Sequence, residues 1–199
     1  MQAHAACIQP LWFAPCVIFW DIDNISVRRQ DDIELICRKL QAHAALAVNK
    51  LKGESVAASD VYIVAYGNKE TFSIFEDHIA ILREMPDVLV RPVSSSRGSA
   101  DQAIITDMMA VAENGAAVAL VSCDRGFATA LQYCRFLGCP TIWISLLNIP
   151  NRGPRKLRRP KDSLVIERAL VSWRNKLPKR TADVALSWEQ IMSGPLDIS

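Results

Sequence analysis

The chain has 199 residues, half of them apolar, and a formal net charge of +2. That length and apolar content suit one ordinary domain with a full core plus an appendage, and they exclude global disorder. The charge is uneven: residues 1–148 carry 12 Lys and Arg against 16 Asp and Glu, and residues 149–199 carry 11 against 5, so a polyanion would be attracted by one part and handled by the other.

The opening MQAHAACIQPLWFAPC has no basic n-region, which argues against a secretory leader, and no Arg, which disfavours an organelle transit peptide. Residues 1–14 read as an N-terminal extension. The run Cys16-Val17-Ile18-Phe19-Trp20 predicts a buried strand that ends in Asp21, Asp23 and Asn24. Over 32–51, Ile33, Ile36, Leu40, Ala44 and Ala47 recur at steps of three and four, which predicts a helix with one buried face. VYIVAY at 61–66 predicts the second strand, ending in Gly67-Asn68, and a helix follows over 70–84. VLVRPV at 88–93 predicts the third, followed by a polar loop, Ser94 to Ser99, and Asp101 at the mouth of a helix over 102–113. AAVALVS at 116–122 leads to Ser122-Cys123-Asp124-Arg125, a helix over 126–137 and a last strand, PTIWIS, at 140–145.

These elements span a domain over 15–148. Beyond it, NRGPRKLRRPK at 151–161 holds six Lys and Arg with two prolines and reads as an extended basic linker. Leu164, Ile166, Leu170, Val171 and Trp173 then suggest an amphipathic helix, which packs back on the sheet or offers a surface to a protein partner. Residues 149–199 are thus a basic linker with a C-terminal helix or tail.

Strands that are apolar throughout belong to a sheet covered on both faces, and strand–helix alternation makes that sheet mainly parallel. The expected fold is a three-layer α/β/α sandwich, with any ligand beyond the carboxyl ends of the strands. Asp21, Asp23, Asn24, Asn68, Asp101, Ser122 and Asp124 all fall at that edge. Each has a plain alternative: Asp101 and Asp124 both stand where helix caps stand. Asp107 lies six residues after Asp101, about 120° off its helical face, so the two cannot both point at one ion. Like charges about 4 Å apart repel by ~1 kcal/mol in water and ~4 kcal/mol at an effective dielectric of 20. A cluster of carboxylates therefore implies a neutralising cation, and oxygen-only ligands suit Mg²⁺ or Mn²⁺ rather than zinc.

Other chemistries lack their residues. His4, His43 and His78 share no spacing, and His43 and His78 read as surface residues, which leaves acyl chemistry without a base. No GxxxxGK[ST] or GxGxxG cradle is present. The six cysteines form no CxxC pair, so they read as reduced thiols in an intracellular protein, with the cytoplasm first and nucleus or organelle left open. No apolar run reaches the ~18 residues needed to span a bilayer.

WDIDN at 20–24, AYGN at 65–68, SADQAIITDMM at 99–109 and SCDRGFATAL at 122–131 together resemble the NYN domain of the PIN-like nuclease superfamily, nearest the limkain or meiosis-regulator type. The resemblance covers about residues 16–148 and implies a metal-dependent endoribonuclease acting on single-stranded RNA. It implies that Asp21, Asp101 and Asp124 are catalytic metal ligands, and that Asp23, Asn24 and Asp107 are supporting or second-ion groups. Asn68 and Ser122 would support the site, while Ser94–Ser96, Arg97 and Arg125 would contact the RNA backbone, helped by Arg155, Lys156, Arg158 and Arg159. Two positions depart from the family pattern: Gly126 and Asn68 stand where acids are usual. A weakened domain that binds RNA or a partner without cutting is therefore the main alternative. A haloacid-dehalogenase-type phosphatase is a remoter one, because its Gly/Thr stretch and lysine motif are missing.

Overall fold

The computed structural model describes residue 11, residues 13–146 and residues 181–194. The expected basic linker at 151–161, with Arg155, Lys156, Arg158 and Arg159, and the expected helix near 164–173 lie outside the described residues.

The first strand, β1, is Cys16–Asp21, and it sits in the middle of the sheet. It pairs in parallel with β2 (Val61–Asn68) on one side and β4 (Ala117–Val121) on the other. Strand β3 (Val88–Val93) lies outside β2, and β5 (Thr141–Ser145) outside β4, also in parallel. The order is β3-β2-β1-β4-β5-β6. The sequence reading stops at five strands near residue 148. The sixth, Val184–Ser187, comes from beyond that boundary and pairs in parallel with β5. At four residues, with only Ser187 fully buried, β6 carries too weak an apolar signal to be read by pattern.

Helices cover both faces. Cys16, Ile18 and Trp20 face α1 (Ile33–Lys52), whose buried stripe is Ile33, Ile36, Cys37, Leu40, Ala44 and Val48. Val17 and Phe19 face the opposite layer, formed by α4 (Ser99–Glu113) and α5 (Ala128–Phe136). This alternation of faces under an unbroken apolar run is what a sheet buried on both sides requires. Asp32 caps α1, its carboxylate accepting from Leu35 N at 3.0 Å. Gly53, at φ 69°, ends the helix.

The single helix expected over 70–84 is two: α2 (Lys69–Ile74) and α3 (Glu76–Glu84). Phe75 leaves helical geometry between them, packs against the core and stacks on His78, with centroids 6.2 Å apart. His78 is 6% exposed, which corrects the expectation of a surface residue. A short closing helix, α6 (Trp188–Ser193), follows β6 and lies on the α1 face. Among the described residues no helix is long and apolar enough to cross a membrane, and the five described cysteines are unpaired.

Candidate active site

The chain leaves β1 toward β2 and β3 on one side and toward β4, β5 and β6 on the other, so the order of strands reverses beside β1. Open parallel sheets bind ligands in the crevice at such a reversal, outside the carboxyl ends of the strands. A pocket of about 280 Å³ lies at that point, lined by Asp21, Asp23, Asn24, Asn68, Asp101 and Asp124 and by the loop Ser94 to Ala100.

Asp21 closes β1 and is 4% exposed. Its Oδ2 accepts from the Ser122 hydroxyl at 3.1 Å. Burial pushes its carboxyl from the ordinary 3.8 up to about 6; the Ser122 hydrogen bond opposes that rise, and the charges of Asp23 and Asp101 add to it. Ser122 follows β4, fully buried, and its oxygen also accepts from Asp124 N at 3.1 Å. The hydroxyl proton is therefore committed to Asp21. Ser122 thus touches both Asp21 and Asp124.

Asp101 sits in the first turn of α4, but it is not the cap: that place belongs to Gly98, whose φ of 78° suits a residue without Cβ. Its carboxyl is raised by burial and by the charge of Asp124. Asp124 is exposed and does act as a cap, Oδ1 accepting from Gly126 N at 2.8 Å at the start of the 3-10 turn Arg125–Phe127. Asp23, also exposed, accepts from Asn68 Nδ2 at 3.0 Å. Asn68 in turn caps α2, its Oδ1 accepting from Glu70 N and Thr71 N. Asn24 Oδ1 accepts from Cys123 N at 2.8 Å and ties the end of β1 to the end of β4. Gly67, just before Asn68, leaves no room for a Cβ because the Phe72 ring occupies that space.

Asp107 is elsewhere. It is 2% exposed, pairs with Arg91 of β3, and accepts from the Tyr66 hydroxyl of β2 at 2.6 Å. The Arg91 guanidinium lies over the Tyr66 ring, 5.7 Å from its centroid. The metal role expected of Asp107 is thus corrected: a carboxylate already neutralised by arginine holds α4 to the sheet. The sequence carried a signal for this, an Arg inside the apolar run VLVRPV, since a buried guanidinium needs an anion. Arg97 lines the pocket, whereas Arg125 does not.

The lining offers carboxylate oxygens and no imidazole or thiolate, a donor set that suits a hard divalent ion in kind. Among the described residues, no three His, Cys, Asp or Glu side chains are arranged to hold a metal ion between them. Mg²⁺ does not require such a cage, because it commonly keeps several waters and takes one or two carboxylates together with substrate phosphate. The mutual charge of Asp21, Asp23, Asp101 and Asp124 favours any cation that enters.

A six-stranded, all-parallel sheet between two helical layers, with acids at the reversal of strand order, is the PIN-like α/β architecture. The family model of the NYN domain matches residues 15–167, and the chain belongs to that family. No curated protein and no solved structure matches the chain.

Proposed function

We propose that the chain is a metal-dependent endoribonuclease that hydrolyses phosphodiesters of single-stranded RNA, using Mg²⁺ or Mn²⁺. Within its family we place it nearest the limkain or meiosis-regulator type on its motifs, with an intracellular and first of all cytoplasmic setting. The observation that carries the reading is the acid pocket: four carboxylates from the ends of two strands and one helix crowd one opening, and burial works against the charge of Asp21.

In this reading one or two of Asp21, Asp101 and Asp124 would bind the ion, with water and substrate phosphate completing its shell, and Asp23 would add charge at its edge. When bound, a divalent ion supplies Lewis acidity toward the phosphodiester and stabilises developing charge. Ser122 fixes the Asp21 carboxylate, and Asn24 holds the two strand ends together. Arg97 draws the RNA backbone to the rim, and the serines at 94–96 donate to its phosphates. The basic stretch with Arg155, Lys156, Arg158 and Arg159 adds attraction that does not depend on sequence. Deleting 151–161 then weakens RNA binding uniformly and flattens its salt dependence.

The test is incubation of end-labelled single-stranded RNA with Mn²⁺, beside Asp21→Asn and a chelator control. Cleavage that Asp21→Asn slows by about a hundredfold or more, equivalent to ~3 kcal/mol of barrier, supports the proposal. RNA left intact by the wild type, or cut equally by the variant, refutes it. One observation favours a second reading, in which the domain binds RNA without cutting. Asn68 and Gly126 spend their polar groups on capping and on Asp23 and Asp124, so neither position supplies a further acid.

A further inference from the structure

The turn that brings Asp23 and Asn24 into the acid pocket is wound on one carbonyl. Asn24 N and Ile25 N both donate to Asp21 O, at 3.2 and 2.9 Å. Ile22 N donates to Tyr66 O at 3.0 Å, which ties the start of the turn to β2. Its far end has a different anchor: the indole N–H of Trp20 donates to Ile25 O at 2.8 Å. Trp20 is fully buried and Ile25 is 2% exposed. Bulk water therefore cannot replace that donor, and removing it leaves a buried acceptor unmet.

The indole is itself held from the far end of the described chain. Trp188, which opens α6, lies against Trp20 with ring centroids 5.8 Å apart and planes tilted by 45°. Lys39 Nζ donates to the carbonyls of Met192 at 2.6 Å and Gly194 at 2.8 Å, fastening the end of α6 to α1. Just before β6, Asp183 accepts from Thr141 N at 3.0 Å, from the Thr141 hydroxyl at 2.8 Å and from Arg135 Nε at 2.7 Å. Strand β6 and helix α6 lie beyond residues 15–167, where the NYN family model matches, yet both ends of the unit are pinned to the domain.

We propose that Trp20 is a positioning residue for the acid pocket. Its indole N–H fixes the turn that carries Asp23 and Asn24, and the β6–α6 unit braces its ring from behind through Trp188. Trp20 faces the α1 layer, not the pocket, so it acts through the Ile25 carbonyl and touches no reacting group. The turn is also a junction. Asn24 Oδ1 accepts from Cys123 N after β4, and Asp23 accepts from Asn68 Nδ2 at the end of β2. A turn that drifts therefore shifts acids that must meet one phosphate, and misplacement of reacting groups lowers rate. The consequence for rate rests on the reading of the pocket as an RNA-cutting centre; the consequence for the turn does not.

The experiment follows amide hydrogen exchange of the full chain at Asn24 and Ile25, together with kcat and KM for Mn²⁺-dependent cleavage of single-stranded RNA. Trp20→Phe keeps an aromatic ring and removes the N–H donor. It is expected to speed exchange at both amides about tenfold, as loss of one buried hydrogen bond requires. Leu131→Val, a truncation in the core under α5, is the control for general loss of stability and is expected to leave those two amides unchanged. Trp188→Ala keeps the donor but removes its brace, and is expected to speed the same amides about threefold; it decides alone if Trp20→Phe does not fold. In the cleavage assay Trp20→Phe lowers kcat about tenfold with KM within about twofold, the pattern of misplaced groups rather than weaker binding. Unchanged exchange at Asn24 and Ile25, equal acceleration in Leu131→Val, or a change confined to KM overturns the proposal. The exchange response in a protein that does not cut RNA keeps the brace and removes the nuclease reading, whereas cleavage without that response does the reverse.

Discussion

Asp101 and Asp107 belong to one helix, six residues apart, and their surroundings differ in almost every respect. Asp101 opens into a pocket beside Asp21 and Asp124, where burial first and the charge of Asp124 second raise its pKa. Asp107 is sealed between β2 and β3 with a guanidinium and a phenol as partners. A paired buried carboxylate is expensive to disturb and does its work by staying fixed. A cluster of carboxylates with no cation among them opposes its own ionisation and so favours a cation that enters. The α4 helix therefore uses one acid to anchor itself and presents another at the site, and the ~120° between their faces is what separates the two environments.

Breaking the anchor should have the largest effect on stability. Asp107→Ala leaves Arg91 without its anion and is expected to cost about 3–5 kcal/mol in urea unfolding. A loss under 1 kcal/mol would mean that the pair does not hold the helix. Next is the response to metal: Mn²⁺ at 100 times its dissociation constant should add ~2.7 kcal/mol in thermal melts, and Asp21→Asn with Asp124→Asn should abolish that gain. An equal gain in the double variant would place the ion elsewhere.

The third effect has the opposite sign from a usual active-site mutation. The folded carboxyl of Asp21 titrates near 6 against an ordinary 3.8, so between those values the folded protein holds a proton that the unfolded chain has released. Its contribution is full below about pH 4, falls as pH rises toward 6, and stays lost above that. Asp21→Asn is therefore expected to stabilise the metal-free protein by about 2 kcal/mol at pH 7 and by nothing measurable near pH 4. A variant less stable than wild type at pH 7 would show that the carboxylate is neutralised in some other way. Smallest is Tyr66→Phe, which removes the 2.6 Å hydrogen bond to Asp107 but keeps the ion pair. It should cost about 1–2 kcal/mol, and a loss as large as that of Asp107→Ala would assign the anchoring to the phenol instead.

The apolar strands and the periodicity of α1 were legible because burial on both faces writes itself into every residue of a central strand. Asp21, Asp23, Asn24, Asn68 and Asp124 were legible as a group because each closes or closely follows a strand, and Asp101 because it opens the helix after one. The split at Phe75 and the strand Val184–Ser187 were not, since short elements are decided by what they pack against. His78 stands beside Glu76 and Asp77 in the sequence, and the structure buries it with Ile79 and Leu82 and stacks it on the ring of Phe75.

By itself the sequence determined that a parallel sheet forms and that acids stand at its carboxyl edge, because hydrophobic period and strand-end position are local properties of the chain. The partner of each acid was decided only by the tertiary structure. Ser122 turning to Asp21, Asn68 to Asp23, and Arg91 with Tyr66 to Asp107 are contacts between elements far apart in the chain. The charge a carboxylate carries depends on those neighbours, which no spacing along the chain can specify.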